Sequence, residues 1–380
     1  MRKIRADAVA AVDVAETAVV GAATATVDAA EIVAAAAAAG IAADADNRSR
    51  KKNKQTGERI QFHPFLFFGV QMNFHLIQSP SAGVMIRPHR FLSHPETVAD
   101  NAFQYIIPDA EPEIIAAQAT REFDQAVEQL TAEGIHIHVF DDYGERETPD
   151  SVFPNNWFST HHGGRIAIFP MYSPSRRRER RSDIIEMLKA TYRVKEVIDY
   201  SGFENDKLFL EGTGAMVFDH IERIAYVGQS NRADPIILER FCTTFGYEPL
   251  TFVTADNNGK SIYHTNVILT IATEFALICL DMIPDPLRKK EIADRLTNSG
   301  RTVIELDRDQ ISEFAGNALE MTGRDGRILA ISQRAASALR KDQIAFIEKS
   351  AHLLPLHIPT IELAGGSVRC MIAGIHLTAR

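Results

Sequence analysis

What the chain lacks limits the classes of protein to consider. Only three cysteines occur in 380 residues, which excludes a disulfide-rich secreted scaffold and fits a reducing compartment. No uninterrupted apolar run reaches the roughly 18–20 residues that span a bilayer. The longest, at 268–280, is broken by Glu274. The net charge is −9, which does not indicate a basic nucleic-acid-binding face. We therefore expect a cytoplasmic protein that binds neither membrane nor nucleic acid.

Residues 1–80 differ in composition from the rest of the chain. Residues 1–45 hold about 20 alanines, a helix-favouring composition with few large side chains to anchor a core. Acidic residues interrupt the stretch where a signal peptide would be apolar, so no export signal is predicted. A basic run follows at 48–59. We predict an alanine-rich, then basic extension, poorly ordered or loosely helical, ahead of a single domain at 81–380.

Two alternatives remain open for this extension. The basic run at 48–59 is interpreted as a solvated linker, but it could also bind nucleic acid or an anionic surface. The natural protein could also start at Met72, with the upstream part an over-long reading frame. Neither alternative changes the functional argument, which rests on residues after 80.

From residue 82 onward, short apolar runs typical of buried strands alternate with stretches of helical periodicity. The predicted strands are Gly83–Ile86, Ile135–Phe140, Ile166–Phe169, Ala215–Phe218, Ile224–Val227, Val267–Ile271, Ala276–Leu280 and Cys370–Ile375. The predicted helices are Glu113–Glu133, Asp183–Tyr192, Asp234–Phe245, Pro286–Asn298 and Ala335–Leu354. This alternation predicts an α/β fold.

A recurring spacing suggests internal repeats. Asn156, Glu211, His264 and Cys370 each lie in a polar or glycine-marked segment beside a predicted strand, with separations of 55, 53 and 106 residues. A step of 53 residues forward from His264 reaches Asn317. Five units of about 53 residues would fill 82–380. If the units are equivalent, their strand ends meet on one axis and these residues are neighbours.

Cys370 is the candidate nucleophile. It follows the glycine pair at 365–366, which indicates close approach of the backbone to another group. A thiolate is the strong nucleophile most readily available near pH 7, provided that a base or cation favours it. The alternative, a buried structural cysteine, is the interpretation given to Cys242 and Cys279.

His264 and Glu211 are candidates for proton transfer and for binding NH groups. His264 lies just before an apolar run, where an imidazole could protonate a leaving amine and then activate water. Glu211 lies between an apolar run and the glycine turn at 212–214, which lacks the third glycine of a dinucleotide fingerprint. A plain β-turn explains Glu211 equally well on local grounds.

The adjacent asparagines Asn155 and Asn156 precede the only tryptophan, Trp157. Burying such a pair is costly unless every amide group finds a partner, although a plain asparagine turn would also fit. No group of histidines and cysteines has metal-ligand spacing, so no metal site is predicted.

Taken together, these segments resemble the guanidino-group-modifying superfamily, which includes arginine deiminases, dimethylarginine hydrolases, amidinotransferases and arginine dihydrolases. The resemblance covers roughly 82–380. It rests on an ordered set of motifs: the Glu-Gly turn at 211–212, the His-X-Asn segment at 264–266 and the Gly-Gly-X-X-Arg-Cys segment at 365–370. It implies a five-bladed β/α propeller, or pentein, with fivefold pseudosymmetry. The segments at 85–88, 153–158 and 210–214 are similar to the branch of citrulline-utilisation hydrolases.

The resemblance also implies roles for the matching residues. Cys370 would attack the central carbon of a guanidinium or ureido group, and His264 would act first as general acid and then as general base. Glu211 would hold the substrate's NH groups and orient the histidine. Ammonia would leave, a covalent S-linked intermediate would form, and water would release the product. No metal or organic cofactor is implied.

Two departures from the family pattern bear on the substrate. Arginine deiminases usually carry aspartates where this chain has Asn156 and Asn266. Carboxylates hold a guanidinium through charge-assisted hydrogen bonds, whereas an amide can donate an N–H to a carbonyl oxygen. The exchange favours a neutral ureido group such as that of citrulline. Arginine stays open as a substrate, because Glu211 still offers one carboxylate and a related branch that converts arginine to ornithine also has asparagine near this position. Which of Asn155 and Asn156 faces the substrate stays open, with Asn156 the better match.

The leading hypothesis is a cysteine hydrolase that converts citrulline to ornithine, CO2 and ammonia. The alternatives are an arginine dihydrolase, an arginine deiminase, an amidinotransferase and a silent module that binds arginine-like ligands. Candidates for binding the amino-acid end of the substrate are Arg87 and the run Arg176–Arg181, which could instead be a surface helix start or loop. A homo-oligomer is compatible with the sequence, which indicates no oligomeric state.

Overall fold

Five three-stranded sheets of the same topology form the part of the chain that the structure describes. The structure is a computed structural model and describes residues 76–93, 101, 103–105 and 111–380. The strands are β1 (Ala82–Pro88), β2 (His136–Asp142), β3 (Phe158–His161), β4 (Arg165–Ile168), β5 (Glu196–Asp199), β6 (Met216–Asp219), β7 (Ile224–Gly228), β8 (Glu248–Phe252), β9 (Leu269–Ile271), β10 (Phe275–Ile278), β11 (Thr302–Glu305), β12 (Leu319–Thr322), β13 (Arg327–Ser332), β14 (His352–Leu356) and β15 (Ala373–Gly374).

Helices and short 3-10 turns connect these strands. The helices are α1 (Pro112–Ala132), α2 (Pro174–Arg177), α3 (Ser182–Thr191), α4 (Gly212–Ala215), α5 (Pro235–Phe245), α6 (Pro286–Asn298), α7 (Arg308–Ser312), α8 (Gln333–Ala338), α9 (Lys341–Ile347) and α10 (Val368–Met371). The 3-10 turns are Pro154–Asn156, Ser201–Asp206, Thr265–Val267, Leu280–Met282 and Ile361–Ala364.

Each sheet joins an antiparallel pair of strands to a parallel third strand. The orders are β3-β4-β5, β6-β7-β8, β9-β10-β11, β12-β13-β14 and β15-β1-β2. In every sheet the first two strands are antiparallel, the last two are parallel, and helical segments lie between the second and third strands. The short strand β15 completes the first sheet, so the C-terminal segment pairs with the first strand described. The α/β class is confirmed, and the five sheets agree with a fivefold repeat.

The same local signal starts two of the connecting helices. Asp234 precedes α5 and Asp285 precedes α6, and each carboxylate accepts hydrogen bonds from two backbone N–H groups of the first turn. A proline follows each aspartate, where its fixed φ and missing N–H suit the first helical position. The equivalent start of both helices shows the repeat at the level of residues.

Helix α1 packs against the first sheet through one apolar stripe. Its buried residues include Ala119, Phe123, Ala126 and Leu130, which recur at helical spacing. They belong to a core cluster that also contains Met371 and the nucleophile candidate Cys370. Truncating a buried Phe such as Phe123 to alanine costs about 3–5 kcal/mol. The apolar stripe of α1 therefore stabilises the sheet β15-β1-β2, whose strand β15 follows Cys370 in the chain.

The structure corrects two predicted elements. The predicted helix Ala335–Leu354 is instead α8, α9 and strand β14, which forms because residues 352–356 pair in parallel with β13. The predicted strand Cys370–Ile375 begins as the short helix α10, and only Ala373 and Gly374 pair as β15. In both cases a long-range pairing, and not local propensity, decides where the strand lies.

The folded body begins slightly before the predicted boundary at 81. Gln78 is buried, and its amide nitrogen donates to the backbone oxygens of Phe218 and Ile271, 2.9 and 3.0 Å away. The prediction for the extension falls mostly on residues 1–75, which lie outside the described residues. Within the described ranges, every helix is too short or too polar to cross a bilayer.

Candidate active site

The five candidate positions of the repeat all lie just ahead of the first strand of a sheet. Asn156 precedes β3, Glu211 precedes α4 and β6, His264 precedes β9, Asn317 precedes β12, and Cys370 lies in α10 ahead of β15. Two of the contacts join residues 53 positions apart: His264 Nε2 lies 2.8 Å from Glu211 Oε2, and Asn317 Nδ2 lies 3.3 Å from Cys370 Sγ. Residues 53 positions apart are therefore neighbours in these two pairs, as the repeat predicts.

Two glycines let these segments approach one another. A Cβ atom on Gly212, whose φ is +41°, would lie 2.4 Å from the backbone oxygen of Asn155. A Cβ on Gly214 would lie 2.3 Å from Asn156 Nδ2 and 2.7 Å from His264 Nδ1. These distances are shorter than van der Waals contact, so any larger residue would push the segments apart. The turn after Glu211 needs glycine because Asn156 and His264 meet above it.

Glu211 is the anchor of the cluster. It is fully buried, and its Oε2 accepts hydrogen bonds from His264 Nε2 at 2.8 Å and from Arg232 Nη1 at 3.1 Å. Its Oε1 accepts from the backbone N–H of Tyr172 at 2.9 Å. Burial by itself would raise the pKa of Glu211, but the charge of Arg232 and the bond from His264 outweigh it and hold that pKa well below its usual range. Glu211 is therefore ionised.

His264 is a neutral base. Burial lowers the pKa of His264 to about 4, although the hydrogen bond and charge of Glu211 act in the opposite direction. Since an ionised carboxylate only accepts hydrogen bonds, the proton of the neutral ring lies on Nε2. The lone pair then lies on Nδ1, beside Gly214 and Asn156. His264 can accept a proton there, and Glu211 stabilises the imidazolium that forms.

Cys370 is held by two amide groups. Asn266 Nδ2 and Asn317 Nδ2 each lie 3.3 Å from Cys370 Sγ and donate toward it. Asn317 is itself fixed, because its Nδ2 also donates to the backbone oxygen of Asn266 and its Oδ1 accepts from the N–H of Arg369. The two N–H donors fix the position of the sulfur between the segments that carry Asn266 and Asn317.

Asn156 is held from the opposite side. Arg176, which is 4% exposed, donates from Nη1 to Asn156 Oδ1 at 2.6 Å. Its Nε and Nη2 form a bidentate pair with Glu179, 2.9 and 2.8 Å from the two carboxylate oxygens. The Nδ2 of Asn156 therefore points the other way, toward Gly214 and His264.

Several buried amide atoms of the cluster have no hydrogen-bond partner within the described part of the protein. They are Nδ2 of Asn156, Oδ1 of Asn266, and both amide atoms of Asn155. An unpaired buried polar atom costs about 1–3 kcal/mol, so a fold keeps several together only where something else repays it. A substrate group bearing both a donor and an acceptor would satisfy them.

The structure separates the two arginine predictions. Arg87 lies at the end of β1 and pairs with Asp124 and Asp141, at 2.7 and 3.1 Å, so it does not join the cluster. The run Arg176–Arg181 is more than a surface loop, since Arg176 is buried against Asn156. The other arginines of the run bond outside the cluster, for example Arg178 with the backbone oxygens of Arg146 and Glu147.

Sequence reasoning missed one site residue and identified two others only in part. Arg232 is 2% exposed, pairs with Glu211 and has its guanidinium carbon 5.1 Å from the ring centroid of Tyr263. No motif pointed to it. The 53-residue step did reach Asn317, but without a role. Arg176 stood out as part of a charge run, whose usual location is the surface.

The other two cysteines, Cys242 and Cys279, lie outside the candidate site. Cys242 lies in α5, and burial raises its pKa to about 12, while burial also raises the pKa of Cys279. Both are unreactive thiols at neutral pH. Within the described ranges, no three histidine, cysteine or acidic side chains are placed to hold a metal ion.

The chain has likenesses to proteins of known activity. A sequence model described as "N,N dimethylarginine dimethylhydrolase, eukaryotic" matches residues 87–377. No protein of curated function matches the chain by sequence. Among solved structures, the substrate-bound N-terminal domain of ArgZ, an arginine dihydrolase from the ornithine-ammonia cycle in cyanobacteria, has 15% identity and a TM-score of 0.59, covering 78% of this chain and 98% of that domain.

Two further solved structures have the same fold. Unliganded AgrE has 16% identity and a TM-score of 0.59, covering 79% of this chain and 40% of AgrE. A dimethylarginine dimethylaminohydrolase carrying an S-methyl-L-thiocitrulline adduct has 14% identity and a TM-score of 0.52, covering 78% of this chain and 99% of that one. The chain belongs to the N,N-dimethylarginine dimethylhydrolase family, within the guanidino-group-modifying pentein superfamily.

Proposed function

We propose that the protein is a cysteine hydrolase of a ureido amino acid, and that it converts citrulline to ornithine, CO2 and ammonia. The five sheets would then form the five-bladed propeller that the family resemblance implies. The observation that carries the substrate assignment is the mixed polarity of the two asparagines. Asn156 offers an N–H donor, and Asn266 offers an oxygen acceptor.

A ureido group matches this polarity. Its carbonyl oxygen accepts from Asn156 Nδ2, and its NH groups donate to Asn266 Oδ1 and to the remaining lone pair of a Glu211 oxygen. A guanidinium carries donors only, so Asn156 Nδ2 would face another N–H. Burying that cation without both carboxylates of the usual clamp is also expensive.

In the proposed reaction, Cys370 Sγ attacks the ureido carbon, and negative charge develops on the oxygen that Asn156 holds. His264 takes the thiol proton of Cys370 as the sulfur attacks, and it then gives that proton to the departing nitrogen, so that ammonia leaves. The product of this step is a thiocarbamate on Cys370. His264 then takes a proton from water, whose oxygen attacks the same carbon, and the thiolate leaves. The released carbamate of ornithine loses CO2. No metal or organic cofactor takes part.

Arginine dihydrolase is the second candidate. Glu211 keeps one carboxylate in the site, and the solved arginine dihydrolases share this fold. Such an enzyme would repeat the same cycle, first on arginine and then on the citrulline formed. A site that stabilises a ureido group suits the second cycle better than the first. Methylated arginines, which the family description names, are a further cation of the same kind.

The test is ammonia release and product identity with citrulline, arginine and dimethylarginine, each supplied alone to the full chain. We expect ornithine from citrulline and little turnover of the two cations. Ornithine from both citrulline and arginine would replace the proposal with a dihydrolase, and citrulline accumulating from arginine would replace it with a deiminase. Citrulline and dimethylamine from dimethylarginine would replace it with a dimethylarginine hydrolase. Absence of ammonia, of dimethylamine and of any new amino acid with all three would favour a transferase or a silent binding module.

A further inference from the structure

We propose that Arg176 is a positioning residue that fixes the substrate preference of the site by setting which end of the Asn156 amide faces the reacting group. The proposal deepens the proposed function and rests on it. Arg176 came to attention as part of a charge run, yet it is among the most buried cations of the described residues, 4% exposed. Its Nη1 contacts Asn156 Oδ1, whereas Asn156 Nδ2 lies on the side of Gly214 and His264.

The direction of the contact is fixed by chemistry. A guanidinium has five N–H donors and no acceptor, so the atom of Asn156 that faces Arg176 Nη1 at 2.6 Å has to be the oxygen Oδ1. The amide is planar, and its Nδ2 therefore points away from Arg176. That nitrogen lies in the same small space above Gly214 as His264 Nδ1, and it has no partner within the described residues.

Glu179 makes this arrangement rigid. It engages Arg176 Nε and Nη2 in a bidentate pair, and Nη2 also donates to the backbone oxygen of Phe153 at 3.1 Å. Nη1 is thereby held in place toward Asn156. Both charged side chains are nearly fully buried, at 4% and 1% exposure, so bulk solvent does not loosen the pair.

Selectivity follows from this orientation. With Nδ2 toward the reacting group, Asn156 can donate to a ureido oxygen and to the negative charge that grows on it in the transition state. Without Arg176, the amide can turn by half a rotation and offer Oδ1, which suits the N–H groups of a guanidinium. Arg176 thus acts on the choice between citrulline and arginine without contacting either.

The experiment compares kcat and KM for citrulline and arginine in wild type and in Arg176→Met/Glu179→Gln. The second change removes the charge that would otherwise stay buried alone. We expect the citrulline-to-arginine ratio of kcat/KM to fall tenfold or more, chiefly through kcat for citrulline. Arg176→Lys, which keeps a donor for Asn156 Oδ1, should retain most of the ratio. Arg178→Met is the matched control from the same arginine run, and it should leave kcat and KM unchanged for both substrates.

Two further variants keep the test decisive. In an Asn156→Asp background the same change at Arg176 should no longer alter the ratio, because a carboxylate has no amide end to orient. Glu179→Gln alone loosens the pair more gently and should shift the ratio in the same direction by a smaller factor. Glu179→Gln replaces the double variant in the test if circular dichroism shows that the double variant does not fold.

Three results would overturn the proposal. An equal loss of kcat/KM for both substrates would mean that Arg176 helps to bind a part that they share, such as their amino-acid end. An unchanged ratio would make the residue purely structural. A ratio that still falls in the Asn156→Asp background would mean that the effect does not pass through Asn156. Wild type that fails to convert citrulline would instead overturn the proposed function, before any variant is compared.

Discussion

Two clusters of histidines whose pKa burial lowers differ in how their polar atoms are paired. The first, which we call the catalytic cluster after the role proposed for it, contains His264 with Glu211, Asn156, Asn266 and Cys370. The second group, which we call the distal histidine cluster, consists of His161, His220, His376 and Tyr247. Burial lowers the pKa of the histidines in both groups, to about 4 for His264 and about 3 for His376.

The two clusters differ in how their hydrogen bonds close. In the distal histidine cluster, His161 Nε2 lies 2.6 Å from Ser159 Oγ, and Tyr247 OH joins His161 Nδ1 at 3.2 Å and His220 Nδ1 at 2.9 Å. Those contacts lie within the protein. In the catalytic cluster an ionised carboxylate holds one side of His264, and several amide atoms around it find no partner among the residues that the structure describes. The hydrogen bonds of His161 and His220 with Tyr247 stabilise the fold, whereas the unpaired amide atoms of the catalytic cluster suit a ligand that would pair with them.

The largest expected effect separates the three cysteines. Cys370→Ser should lower turnover by at least about 10⁴-fold, because an alcohol without thiolate character cannot replace the nucleophile. Cys242→Ser, at a buried position in α5, should instead reduce the free energy of unfolding by about 1–3 kcal/mol and leave turnover intact. Ammonia release and thermal unfolding of both variants measure this. Wild-type rates in Cys370→Ser would return that residue to a structural role.

The next effect compares one histidine from each cluster. His264→Gln should reduce kcat by about 10²–10⁴-fold through loss of general acid–base catalysis, with little change in stability. His161→Phe should cost about 1–3 kcal/mol of stability, because Ser159 and Tyr247 lose a buried partner, and should leave kcat within about twofold. Chemical unfolding and steady-state kinetics distinguish the two outcomes. A fold that depends on His264 as strongly as on His161 would remove the contrast between the clusters.

A smaller change should alter the choice of substrate without abolishing activity. Asn156→Asp with Asn266→Asp restores two carboxylates and should shift the ratio of kcat/KM toward arginine by about 10–100-fold, since charge-assisted hydrogen bonds are roughly twice as strong as neutral ones. Asn258→Asp, at an exposed loop position, is the control for the added negative charge. Unchanged selectivity in the double variant would contradict the argument from amide polarity.

The smallest effect is the response to acid. His264 has to be neutral to accept a proton, so kcat/KM should hold as the pH falls from 7 and decline about tenfold per unit below the pKa of about 4. A pH–rate profile with citrulline measures this. A decline that begins near pH 6.5, the ordinary value for histidine, would show that burial does not lower the pKa of His264 in the working enzyme.

Stability should respond at higher pH than activity. The unfolded chain protonates His376 near 6.5, whereas the folded chain keeps it neutral down to about pH 3. The contribution of His376 to the free energy of unfolding is complete above pH 6.5. It is lost as the pH falls, at up to about 1.4 kcal/mol per pH unit. The unfolding free energy of His376→Asn should therefore fall less steeply with acid than that of wild type. Equal slopes of unfolding free energy against pH in the two proteins would contradict the lowered pKa of His376.

Short patterns in the sequence were sufficient to predict many of the residues of the candidate site. The glycines at 212 and 214 are required by the approach of Asn156 and His264, and such a requirement is visible in sequence as an unusual turn. The spacing of 53 residues marks equivalent strand ends, so contacts 53 positions apart could be anticipated. Strands with an apolar run of their own, such as β7, were also recognisable, because their residues are buried on both faces.

Other features depended on partners far away in the chain. Strand β14 contains Pro355 and exists because β13 pairs with it, so its residues favour no strand by themselves. Arg176 and Arg232 are charged residues in ordinary surface-like contexts, and only Glu179 and Glu211 make their burial tolerable. No local signal distinguishes them from exposed arginines such as Arg178.

The sequence by itself determined the α/β class, the repeat, and the candidates for nucleophile, base and carboxylate, because these depend on residue type and on spacing along the chain. Only the tertiary structure decided which atoms face one another. It placed a donor-only guanidinium behind Asn156 and the sulfur of Cys370 beside the Asn266 nitrogen. An asparagine offers either a donor or an acceptor, and the neighbour that occupies its other end selects between them.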